Sequence, residues 1–168
     1  MELAEILAPL AVLIAIVAIS IVAQGNVIAC TRDGAILALE HIREWAKWMT
    51  GIESAALGAL GLLAFNFQRG PFAHAAVFWA WLAFSFLGLA LVVSGWSLSA
   101  LSSLAIRIHR APRARHALPE FDVLEQPIFG RRSPRLGTVV TIHHFLWASG
   151  LFSLGVFVLL AFFLSGVE

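Results

Sequence analysis

Apolar and polar positions divide the 168-residue chain into four long apolar runs separated by polar connections. The first run, Ile6 to Ala23, is eighteen residues without a charge. At about 1.5 Å per residue it reaches roughly 27 Å, close to one hydrocarbon thickness. Pro9 falls in its first turn, where a missing N–H removes no intrahelical bond. Glu2 and Glu5 stand where a cleaved signal would carry positive charge, so the run is expected to be retained. The second run, Met49 to Phe67, holds one charge, Glu53, and ends at the breaker Gln68-Arg69-Gly70-Pro71. That short connection predicts antiparallel packing of the second and third runs.

The third run, Phe72 to Ile106, would measure roughly 52 Å as one helix against a core of about 30 Å. It has to tilt, bend or protrude. Gly95, amid Ser94, Ser97, Ser99, Ser102 and Ser103, is the expected place to bend or leave the hydrocarbon. A fourth run, Thr138 to Leu164, returns to the first side.

The stretch from Asp33 to Trp48 has helical periodicity. Asp33, Glu40, Arg43, Glu44 and Lys47 gather on one arc, and Leu37, Leu39, Ile42, Trp45, Ala46 and Trp48 fill most of the remainder. It is expected to lie in the cytoplasmic interface as a separate amphipathic helix with its Trp pair at headgroup depth. Standing upright as a continuation of the second span is the alternative. The connection 107–137 contains Pro112, Pro119, Pro127 and Pro134 and is expected to run extended with turns. Its Phe121, Val123, Leu124, Ile128 and Phe129 are too apolar for a disordered tail, so part of it should dock.

Composition turns this pattern into a fold class. With 60% hydrophobic and 12% charged residues and a mean hydropathy of +0.89, a water-soluble domain of this length is excluded. The expectation is a single membrane domain, all-α, with four transmembrane helices. The one cysteine, Cys30, excludes an intramolecular disulfide, and no Cys/His spacing suggests a structural metal. With no Tyr, interfacial anchoring falls to six Trp. A high Ala content and ten Arg to one Lys resemble the bias of GC-rich bacterial genomes and point to a bacterial inner membrane.

Charge sets the orientation. Arg107, Arg110, Arg113, Arg115, Arg131, Arg132 and Arg135, seven of the eleven basic residues, lie between the third and fourth runs. Arg32, Arg43 and Lys47 fall on the same side, while the opposite side has only Arg69. By the positive-inside rule this side is cytoplasmic and both termini are periplasmic.

Several residue sets are candidate sites. Gly51, Ser54, Gly58 and Gly61 form a small-residue face on the second span, suited either to packing within one subunit or to an oligomer contact. Ser85, Gly88, Gly95, Ser99 and Ser102 form a mildly polar stripe on the third, a possible pore lining or a packing seam. Glu53 is the acidic residue embedded in a span and is expected to reach interfacial water or a neighbouring Lys47 or Arg. His143 and His144 are expected to hydrogen-bond near the cytoplasmic start of the fourth span; they and His74 cannot pair as axial haem ligands at one depth. The Arg clusters should meet anionic headgroups, with a polyanionic cytoplasmic partner or nucleotide as the alternative. No phosphate cradle, HExxH, GxSxG or paired-carboxylate motif accompanies them.

These features lead to an expectation of no enzymatic activity, no cofactor and no nucleic-acid partner. The functional expectation is a self-associating inner-membrane protein acting as a small oligomeric pore or a scaffold. An accessory subunit of a larger respiratory, photosynthetic or transport complex is the alternative.

Overall fold

The computed structural model describes residues 11, 12, 15, 28–29, 32–65, 73–110, 121–129 and 132–163. These fold into three long helices, α1 (Arg32–Phe65), α2 (Ala73–Arg110) and α3 (Leu136–Val158), the last continued by a π-helical turn, Leu159–Phe163. Two-residue strands β1 (Ile28–Ala29) and β2 (Phe121–Asp122) pair antiparallel, with Ile28 opposite Asp122 and Ala29 opposite Phe121. The fold is all-helical apart from this pairing. Two helical stretches, His74–Ile108 and Leu136–Ala161, are long and apolar enough to cross a membrane. The first apolar run, other than Ala11, Val12 and Ala15, and the 68–71 breaker lie outside the described residues.

α1 corrects one expectation. Residues 33–48 are not a separate interfacial helix but the first half of one unbroken helix that continues to Phe65. The charged arc Asp33, Glu40, Arg43, Glu44 and Lys47 is exposed, while Ala35, Leu39 and Ala46 are buried in protein. Part of the apolar arc therefore packs into a protein core while Leu37 and Trp48 stay exposed, and no Gly or Pro interrupts the helix between Leu37 and Thr50. α2 likewise runs through Gly95 without a break. The Ser97 hydroxyl donates to the Val93 carbonyl four residues back at 2.7 Å, a bond that leaves the helical ladder in place.

The chain divides into two compact units. One comprises Gln24–Gly51 and Val92–His143. Its core holds Ala35 and Leu39 of α1, Ala100, Leu101, Leu104 and Ile108 of α2, Leu136 and Val139 of α3, and Val123 and Ile128 of the connection. The connection docks as anticipated, and backbone bonds fold it into a closed turn: Ile128 N–H to Pro134 O (3.1 Å), Leu136 N–H to Gln126 O (2.9 Å) and Gly137 N–H to Leu124 O (2.7 Å). Arg107 closes the base of the turn by donating to the carbonyls of Pro127 and Ile128. Gly137 packs closely here, where a Cβ would lie a tight 3.2 Å from the Leu124 carbonyl oxygen.

The other unit comprises Ile52–Leu91 and His144–Glu168, with Met1–Ala23. Its core is Leu60, Ala76, Trp79, Ala83, Phe157 and Ala161. Edge-to-face pairs Trp79–Phe152 and Phe86–Phe145 run in opposite sequence directions, so α2 and α3 are antiparallel here. Ala76, Ala83 and Ala90, each fully buried, recur every seven residues along α2 and form its inner seam.

Candidate functional site

α1 turns its small-residue face outward. Gly51, Ser54, Gly58 and Gly61 are all exposed, and a Cβ built on any of the three glycines meets no atom within 4 Å. Their spacing of three, four and three keeps them on one side of the helix. Within the second unit, Gly61 also borders an open apolar groove of about 360 Å³, walled by Leu57 and Ala64 of α1 and by Val77, Trp81 and Phe84 of α2. This side of α1 presents backbone and apolar surface, the chemistry of helix–helix contact rather than of ligand polarisation.

The stripe expected on α2 also faces out. Ser85, Gly95, Ser99 and Ser102 are exposed and Gly88 is half-buried. The Ser99 hydroxyl bonds its own helix, at the Trp96 carbonyl (3.2 Å). The serines that pack inside are different ones: Ser94, Ser97, Ser149 and Ser153. Ser94 joins two helices, its hydroxyl lying 2.7 Å from Thr50 Oγ1 and donating to the Ala46 carbonyl at 3.2 Å. Ser153 donates to the Ser149 carbonyl at 2.8 Å. The sequence offered a signal for the true inner seam, the seven-residue recurrence of Ala76, Ala83 and Ala90, but glycine and serine spacing masked it.

Two ionisable residues are deeper than expected. Glu53 is 0% exposed, so it does not reach interfacial water, and Lys47 is engaged elsewhere, with Glu44. The Lys47 hydrogen bond, with its charge, holds the exposed Glu44 carboxyl below the ordinary carboxylate range. His143 is 2% exposed, its ring standing edge-on to Trp45 at 5.2 Å between centroids. Beside it, Ser94, Ser97, Trp45 and Val140 help to enclose a cavity of about 10 Å³, near the lower limit for one water molecule. His144 is half-buried and His74 exposed.

Of the basic connection, Arg107 is a structural cap, Arg135 pairs with Glu125 at 3.3 Å, and Arg132 is exposed. Arg113, Arg115 and Arg131 lie outside the described residues, as does the side chain of Arg110. Among the described residues no three His, Cys, Asp or Glu side chains gather as a metal site. No protein-family model, curated protein or solved structure matches the chain.

Proposed function

We propose that the protein is a self-associating, multi-pass membrane protein with a structural, non-enzymatic role, a scaffold whose copies meet through the Gly51, Ser54, Gly58 and Gly61 face of α1. One observation carries this reading: the face is exposed, and among the described residues a Cβ on Gly51, Gly58 or Gly61 meets nothing within 4 Å. In lipid, apolar side chains gain nothing by leaving the solvent, so helices associate where small residues allow close backbone approach. A smooth face lined by Gly51, Gly58 and Gly61 is suited to a second copy. The Arg and Ala bias of the sequence supports a bacterial inner membrane, and the positive-inside rule supports a cytoplasmic 107–137 connection with periplasmic termini.

The exposed hydroxyls of Ser85, Ser99 and Ser102 favour a second form of the same assembly, in which α2 helices from several copies line a narrow polar path. Cross-linking tests the contact itself. In a Cys30→Ser background, Gly58→Cys should form a disulfide-linked dimer in native membranes, because bridged Cα atoms must approach within about 7 Å. Leu89→Cys, exposed on α2, is the comparison and should cross-link far less. Equal or absent cross-linking at the two positions would overturn the proposed face.

A further inference from the structure

Three exposed aromatic side chains occupy one level of the unit formed by Gln24–Gly51 and Val92–His143. Ser94 of α2 touches both Thr50 and Ala46 of α1, so it lies opposite the turn that has Trp48 at its centre. Trp96 is two residues beyond Ser94, about 3 Å further along α2. Trp48 is 72% exposed, Trp96 40% and Phe129 47%. Phe129 stacks on Trp96 with centroids 5.7 Å apart and planes tilted by 37°.

Before Trp48, α1 exposes Glu40, Arg43, Glu44 and Lys47 beside Leu37, so charge borders this level on the side of the helix start.

Phe129 does not hang freely at that level. Its N–H donates to Ser133 Oγ at 2.9 Å, the preceding two carbonyls are held by Arg107, and Ile128 is buried in the core. Exposed Arg132 stands three residues on. The whole connection carries seven Arg against Glu120, Asp122 and Glu125.

We propose that Trp48, Trp96 and Phe129 lie at headgroup depth in one leaflet, and that the docked turn between α2 and α3 clamps an anionic phospholipid. Phe129 enters the boundary between headgroups and acyl chains, and Arg132 faces the lipid phosphate. The amphipathic indole rings of Trp48 and Trp96 favour that depth, apolar Phe129 reaches the acyl side of it, and each Arg near an anionic surface strengthens lipid binding roughly fivefold. Phe129, held by Arg107 and Ser133 through its own backbone and its neighbours', loses little conformational freedom on binding. The inference rests on the membrane reading above but not on self-association, because both readouts below work on a single copy.

The test uses the full chain in nanodiscs. Wild-type protein should melt at a higher temperature in discs of mixed phosphatidylcholine and phosphatidylglycerol than in phosphatidylcholine alone, and added salt should shrink the difference. Arg132→Gln should melt like wild type in phosphatidylcholine but lose a large part of the phosphatidylglycerol gain. A gain equal to that of wild type, or no gain in wild type, would overturn the clamp. A spin label at Arg132→Cys in a Cys30→Ser background reads depth independently and decides the matter if Arg132→Gln perturbs folding. Oxygen and nickel-chelate accessibilities should put the label at phosphate level. A label in bulk water would overturn the proposal and leave the turn as a surface for a cytosolic protein. A wild-type chain that fails to enter nanodiscs would instead reject the membrane reading.

Discussion

Gly150 of α3 lies so close to Leu87 of α2 that a Cβ at position 150 would come within 2.6 Å of Leu87 Cγ and 3.1 Å of its backbone nitrogen. Leu87 is fully buried and has no space to swing into. Gly150→Ala is therefore expected to cost about 1–3 kcal/mol, as overpacking does in soluble cores. Gly155→Ala, one turn on, meets nothing within 4 Å and should be neutral or gain up to about 1 kcal/mol from better helix propensity. Thermal melting of the two variants in one detergent checks the pair, and equal shifts would contradict the close packing.

Ser94 ties α2 to α1 through Thr50 and the Ala46 carbonyl. Ser94→Ala should lower stability by about 0.5–1.5 kcal/mol, the range for a hydrogen bond between packed helices. Ser99→Ala removes a bond to its own helix on an exposed face and should change stability by less than about 0.5 kcal/mol. The comparison also separates the serines that hold the bundle from those on its surface.

Fully buried Glu53 gives a third contrast. Glu53→Gln keeps the size and the carbonyl acceptor, and should cost less than about 1.5 kcal/mol. Glu53→Ala empties its place in the packing and should cost about 2–5 kcal/mol, as large-to-small changes do in cores. Were the carboxyl in interfacial water, both variants would melt like wild type.

The extents of α2 and α3 were legible because apolar runs and their period are local properties of the chain, whereas the joining of 33–48 to the second run in one helix was not. Which face of each helix packs was not. Small residues recur on both sides of the bundle, and Gly51, Gly58 and Gly61 look as suited to an inner seam as Ala76, Ala83 and Ala90, which occupy one. The amphipathic pattern of 33–48 fits a lipid surface and a protein core equally, because both accept Leu39 and Ala46. Docking of the connection could be read from Val123 and Ile128. The cap by Arg107 could not, since it joins a helix end to carbonyls about twenty residues away, a distance over which sequence carries no periodic signal.

Topology yields the next expectation. Seven Arg between Arg107 and Gly137 predict a cytoplasmic connection and periplasmic termini. A C-terminal alkaline phosphatase fusion should be active, and a fluorescent reporter at the same position dark. An inactive phosphatase with a bright reporter would reverse the orientation.

Self-association through α1 is tested most directly by the mass of the purified particle in mild detergent, wild type against Gly58→Leu. A Cβ at Gly58 meets nothing within 4 Å among the described residues, so the substitution adds bulk to the exposed face. Wild type is expected at a multiple of the 18.2 kDa chain, and Gly58→Leu at a smaller multiple while melting within a few degrees of wild type at equal copy number. A wild-type particle holding one copy, or a Gly58→Leu particle of undiminished mass, would contradict the account.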